Sequence, residues 1–290
     1  MRTEARRWVL GALVMAAAIA AIAAVPSSAW QAPSLASLPL GPALAQARAR
    51  GSLVVGVRAY PRPAPPGAPT PAEPDPLDAA LARDLAEALG LPVRLLPVDA
   101  GSEDEVLRSG GIDLLAAGAR DAAPTAPPPG VAQPAGSYGA GDGRLIALRR
   151  GAVQTGLDLR GRAVCVARGS GYAGALRHGY GARVQPYPSA VHAVSAFMAG
   201  ECAALAEDTD VLARLQQQPE WRFYALLPEP PLQAQPASIR LAAGDAASRD
   251  WLAAALRQWR ADGTLARAQA ARVGNLSLEV TMLKDGLICH

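Results

Sequence analysis

Apolar positions recur along the chain with two periods, and the change of period marks the elements. Leu77, Leu81, Leu85 and Leu89 follow one another every four residues behind Pro76 and stop at Gly90, which predicts a helix with one buried stripe. Before it, Ser52 to Val57 (SLVVGV) is a continuous apolar run between Gly51 and Gly56, the mark of a buried strand, and residues 42–50 have helical spacing. After it come a strand over Leu91–Val98 and a short helix with a capping box at Ser102 and Glu105. A third strand is predicted over Ile112–Ala117.

The second half of the chain runs through the same kinds of element. Strands are predicted at Leu145–Leu148, Ala163–Ala167, Arg183–Tyr187 and Ala203–Ala206, with helices over Tyr172–His178 and Ser189–Met198 between them. Ile239–Ala242 adds a strand. Ser248 then caps a helix placing Leu252, Ala255, Leu256 and Trp259 on one face, and Gly263 separates it from a last helix over Thr264–Val273. Alternating strands and helices predict an α/β protein of two lobes, each a mostly parallel sheet flanked by helices.

Two stretches 89 residues apart read alike, GIDLLAAGARD from Gly111 and GECAALAEDTD from Gly200. In each a glycine closes a helix, an apolar run follows, and polar side chains appear where the run stops, as at a parallel strand whose carboxyl end faces a crevice. Two such edges predict lobes facing one another across a cleft.

The ends and the loops refine this division. Arg2, Arg6 and Arg7, the uncharged run Val9–Val25 and the small residues Ser27-Ser28-Ala29 predict a cleaved signal segment over 1–29, and so a periplasmic protein. We expect a leader at 30–50, lobe 1 at 51–143, lobe 2 at 144–234, a return to lobe 1 at 235–274 and a tail at 275–290. Residues 61–76 hold eight prolines and predict an extended loop. The net charge of +3 falls to +1 once Arg2, Arg6, Arg7 and Glu4 leave with the signal, and no basic cluster remains to hold nucleic acid.

Three cysteines, with no CxxC among them, exclude a structural zinc site, and no metal or cofactor is expected. Cys165 lies in the run AVCVA and Cys202 opens CAALA. Neighbouring parallel strands would bring the two within disulfide reach, the alternative being two buried free thiols.

In their order and spacing, ARGSLVVGV, LDAALARDLAEALG, GIDLLAAG, LRGRAVCVARGSG, YPSAVHAVSAFMAG, AALAEDTDVL and WLAAALRQWRADGTL resemble the periplasmic solute-binding proteins of the polar amino acid type (solute-binding family 3). The resemblance covers roughly residues 44–274. It implies a type II periplasmic-binding fold, a small solute held between lobes that close about a hinge, a membrane ABC permease as partner, and a monomer.

It also implies a set of site residues. Backbone amides at Gly169, Ser170 and Gly171 ahead of a helix would hold a carboxylate, Asp208 would take the solute's ammonium, and Tyr60 would cover it. Two departures stand out. Thr125 occupies the place of the family's carboxylate-clamping arginine, for which Arg120 is the substitute, and Ala80 replaces the second acid of the helix pattern. A module docking a periplasmic partner, and a dehydratase-like enzyme using Glu207, Asp208, His178 or His192, are the alternative readings.

Overall fold

The computed structural model describes residues 34–61, 71–99, 101–116, 118, 134–139 and 141–284. The signal segment, Arg120 and Thr125 lie outside these. The chain divides into two units, 1–38 and 39–290. In the first, the described residues form one 3-10 turn at Leu35–Ser37. Everything below concerns the second.

Helix α1 (Pro42–Arg50) leads into strand β1 (Leu53–Pro61), which carries the buried run Leu53-Val54-Val55 into the centre of the first sheet. β2 (Ala72–Pro74) pairs antiparallel with Ala59–Pro61, so the end of the proline-rich segment is a strand rather than a free loop. Helix α2 (Pro76–Leu89) buries Leu77, Leu81, Leu85 and Leu89, and Gly90 ends it with a φ of 68° that glycine adopts without strain. The sheet continues with β3 (Val93–Val98) and, after α3 (Glu103–Arg108), β4 (Leu114–Ala116). The capping box predicted for α3 does not form: Ser102 Oγ donates to the Asp99 carbonyl, while Glu103 accepts from the Gly101 amide.

β5 (Pro134–Ser137) completes the descent through lobe 1, and the chain crosses to β6 (Asp142–Leu148). Lobe 2 is then built from β7 (Ala163–Ala167), α4 (Ala173–Tyr180), β8 (Arg183–Tyr187), α5 (Ala190–Met198) and β9 (Ala204–Asp208). It ends with α6 (Thr209–Leu215), β10 (Tyr224–Leu226) and β11 (Leu232–Gln233). The chain returns through β12 (Ser238–Arg240) and finishes with α7 (Ala246–Ala261) and α8 (Thr264–Lys284). Ser248 lies inside α7; the cap is Asp245, which accepts from the Ser248 amide at 2.9 Å.

The first sheet runs β3-β1-β4-β12-β5 with β2 on the end of β1, and the second runs β10-β6-β9-β7-β8 with β11 on β6. Both sheets are mixed rather than mostly parallel. β12 and β6 run antiparallel to their neighbours because these are the strands on which the chain changes lobes. The duplicated stretches hold equivalent places: β4 lies between parallel β1 and antiparallel β12, as β9 lies between parallel β7 and antiparallel β6.

The two crossings run side by side and bond to each other, Tyr138 N to Ala237 O at 2.6 Å and Ala234 N to Gly141 O at 2.8 Å. A Cβ on Gly141 would lie 3.0 Å from the Ala234 carbonyl oxygen, so the close approach needs glycine.

Alternation along the lobe 2 strands sorts its core into two faces. Val164, Val166, Ala204 and Ala206 pack with Tyr172 and Leu176 on one side, and Cys165 and Leu205 with Phe197 and Trp221 on the other. On the second face Cys165 and Cys202 are joined in a disulfide with an S–S distance of 2.07 Å.

Helix α8 departs from the predicted plan. It does not stop near Val273 but runs through Gly274 to Lys284, so most of the expected tail is helix. It packs on α2 and α7 of lobe 1 and also on α5 and α6 of lobe 2, where Val273, Leu276 and Val280 join the Phe197–Trp221 core. The last helix therefore straps both lobes. No helix among the described residues is long and apolar enough to cross a membrane.

Candidate functional site

A cleft with a volume of about 160 Å³ opens between the lobes, and its walls come from the ends of strands and from α8. On the lobe 1 side, β1 ends in Arg58 and Tyr60, and α2 begins with Asp75 and Asp78. Asp75 is the N-cap of α2: its Oδ1 accepts from the Leu77 amide at 2.9 Å and the Asp78 amide at 3.2 Å, which orients the carboxylate and matches the positive end of the helix dipole. Both acids are almost fully buried, at 1% and 0% exposure.

These acids are matched by two arginines. Arg58 Nε donates to Asp78 Oδ2 at 2.8 Å and its Nη2 reaches Asp75 at 3.5 Å. Its guanidinium lies against Gly118, where a Cβ would meet the Arg58 Cζ at 2.0 Å, and this φ of 73° also favours glycine. Tyr138 donates to Asp78 Oδ1 at 2.7 Å and accepts from the Gly118 amide at 2.7 Å. Tyr60 donates to Asp75 Oδ2 at 2.6 Å.

Arg272 of α8 carries the network across the cleft. Its Nε bonds Asp75 Oδ2 of lobe 1 at 3.1 Å, and its Nη1 bonds Asp208 Oδ2 of lobe 2 at 3.0 Å. Tyr172 donates to the other Asp208 oxygen. One guanidinium, itself only 14% exposed, thus holds acids of both lobes at once.

Burial acts on every group here and sets the direction at Asp78, Glu207 and Tyr172; at Asp75 the neighbouring charges reverse it. It raises the Asp75 carboxyl, but Arg272, Arg58 and the Tyr60 hydroxyl outweigh it and hold Asp75 well below the usual carboxylate range. Asp78 goes the other way: burial and the neighbouring Asp75 push it up against the pull of Arg58. Glu207, 2% exposed beside Asp208, is pushed up to about 7 by burial and by that neighbour's charge. Burial and Asp208 likewise raise the Tyr172 phenol, so it stays a donor.

Of the residues named from sequence, the structure brings Tyr60, Ser170, Glu207 and Asp208 to this cleft. Gly169 and Gly171 shape the turn after β7 with φ of 75° and 82° but are not lining residues. The Ser170 amide is already used, donating to the Ala167 carbonyl at 3.1 Å, so the turn does not present three free amides to a carboxylate. Tyr60 is a partner of Asp75 within the wall. Of the histidines, His178 is exposed and His192 pairs with Ser189; neither lines the cleft.

Sequence reasoning missed Arg58, Asp75, Asp78, Tyr138, Tyr172, Arg272 and the bridge they form. Two signals were available. Asp75 precedes a helix-opening proline, a capping position, and Asp78 lies on the same stripe as Leu81, Ala82 and Leu85, where an acid needs a buried partner. Among the described residues there is no group of three or more His, Cys, Asp or Glu side chains that could hold a metal ion.

No family model and no curated protein matches the sequence. Solved structures do match the fold. An amino acid ABC transporter substrate-binding protein from Streptococcus pneumoniae, bound to L-arginine, is 15% identical with a TM-score of 0.61, covering 80% of this chain and 98% of its own. An ancestral amino acid-binding protein, a precursor of cyclohexadienyl dehydratase, is 19% identical with a TM-score of 0.60 over 80% of this chain and 100% of its own. A mutant of the T. maritima ArgBP is 17% identical with a TM-score of 0.59 over 78% and 97%. The chain has the two-lobed periplasmic-binding fold of these proteins.

Proposed function

We propose that this is an extracytoplasmic solute-binding protein that captures a small polar solute, an amino acid or related compound, between its lobes for an ABC-type importer. The observation that carries the reading is the cleft itself. Charged side chains from the carboxyl ends of strands in both sheets converge on it, the place where open α/β sheets bind ligands. The paired crossings at Tyr138–Gly141 and Ala234–Ala237 offer a hinge about which such lobes could close. The named ligands and transporters of the structural neighbours support the same class.

A thermal-shift screen of the purified protein against amino acids, polyamines and organic acids tests it. A binder at 100 times its Kd should stabilise the fold by about 2.7 kcal/mol, and a flat profile across the whole panel would sink the reading. One observation favours a second reading, a module that docks a periplasmic partner. Asp208, the acid expected to take a solute's ammonium, is already bonded to Arg272 of the same chain. A flat screen together with a specific crosslinked periplasmic partner would select that alternative.

A further inference from the structure

Buried polar atoms almost always have partners, because burial removes their water and leaves nothing in its place. Among the described residues, three buried and unpartnered oxygens belong to side chains lining the cleft: Ser170 Oγ, Glu207 Oε2 and Thr209 Oγ1. Topology places the three residues at one end of the lobe 2 sheet. β7 and β9 are parallel neighbours in register from Val164 with Ala204 to Val166 with Ala206, so the turn after β7 and the end of β9 reach one edge of the sheet together. Glu207 Oε1 accepts from the Asp208 amide at 3.0 Å, and Oε2 is left over. Arg144, opposite Glu207 in the ladder, gives its Nη2 to the Leu227 carbonyl instead.

The charge balance says what such oxygens would receive. Leaving Glu207 aside, six acids that line this cleft (Glu73, Asp75, Asp142, Asp208, Asp210 and Glu279) outnumber the lining arginines Arg58, Arg168 and Arg272, so a solute anion meets repulsion and a cation attraction. A primary ammonium has three N–H donors and no acceptor, matching three acceptors of which one is a carboxyl. Asp208 is committed on both oxygens, to Tyr172 and to Arg272.

We propose that Glu207 Oε2, with the hydroxyls of Ser170 and Thr209, forms the subsite for a primary ammonium group of the solute, in place of the occupied Asp208. This rests on the solute-binding reading above. Its test is isothermal titration of the full chain with L-alanine, L-ornithine, ethanolamine and putrescine, each set against its hydroxyl counterpart, with L-lactate replacing L-alanine and 1,4-butanediol replacing putrescine.

The expected result is that amines bind and their hydroxyl counterparts do not, that Glu207→Gln weakens the best amine roughly 10- to 100-fold, and that Thr209→Val weakens it severalfold. Should Glu207→Gln fail to fold by its far-UV spectrum, Thr209→Val together with Ser170→Ala carries the test. If the wild-type protein binds an amine and the folded variants bind it equally, the subsite is overturned while solute binding stands. Equal binding of the hydroxyl analogues overturns it as well. If the wild-type protein binds no member of the panel, the subsite falls, and a continued blank in the wider screen removes the solute-binding reading with it.

Discussion

Replacing Arg272 with methionine keeps most of the side chain's apolar volume and removes the charge that joins the lobes. The magnitude can be worked out one acid at a time. Asp75 is 2% exposed at its side chain, and removing one partner of a buried ion pair costs about 3–5 kcal/mol. Asp75 keeps Tyr60, Arg58 and the amides of Leu77 and Asp78, which places the loss at the low end, about 3 kcal/mol. Asp208 is 35% exposed and keeps Tyr172, so solvent screening limits its share to at most about 1 kcal/mol.

Urea unfolding followed by tryptophan fluorescence reads the total. With a slope of about 3 kcal/mol/M the midpoint should fall by roughly 1 M or slightly more. Double-mutant cycles then separate the two acids. Coupling of Arg272→Met with Asp75→Asn should be about 2 kcal/mol and with Asp208→Asn below about 1 kcal/mol. A midpoint within about 0.2 M of the wild type, roughly the error of such a fit, with no coupling to Asp75, would refute the bridge and the strapping of the lobes by α8.

Two further outcomes follow from the same structure. The Cys165–Cys202 disulfide spans 37 residues, and on the chain-entropy account the double variant C165A/C202A should lose about 4 kcal/mol; thiol titration of the denatured, unreduced wild type should find one free cysteine, and three would show the bond absent. Glu207 sets a pH dependence. Its folded pKa of about 7 lies above the unfolded 4.5, so the native state holds the extra proton between those values, and stability is highest below the window and falls as pH rises through it, by on the order of 3 kcal/mol. The depressed Asp75 acts in the opposite sense, its contribution lost only as pH falls below the ordinary carboxylate range. Unfolding midpoints of the wild type and Glu207→Gln measured from pH 4.5 to 7.5 should converge in slope only if the fall belongs elsewhere.

Much of the scaffold was legible because its signals are local. A four-residue leucine period, a proline at the start of a helix and a glycine after it are decided by backbone torsions and one apolar face, so α2 stands where the periodicity puts it. Apolar runs such as AVCVA gave β7 for the same reason, and the twin stretches gave β4 and β9. Caps were less legible. Ser102 and Ser248 sit in fitting positions, but Asp245 takes the Ser248 amide, and the Ser102 and Glu105 amides go to the Asp99 and Ser102 carbonyls, since a cap is settled by which acceptor reaches an orphan N–H first. The extent of α8 was hidden because Gly274 reads as a stop, whereas packing of Val273, Leu276 and Val280 on lobe 2 carries the helix past it.

By itself the sequence determined most of the strands and helices in their order, though not β2, β5, β10, β11 or α6, together with the two lobes and the crevice edge at which Ser170 and Asp208 sit, because these depend on neighbours a few residues apart. Only the tertiary structure decided how the cleft is charged. Arg58, Asp75, Asp208 and Arg272 are separated by up to 214 positions along the chain. Their pairing depends on which faces the two sheets and the last helix turn toward one another, and a buried charge takes whatever partner the fold delivers to it.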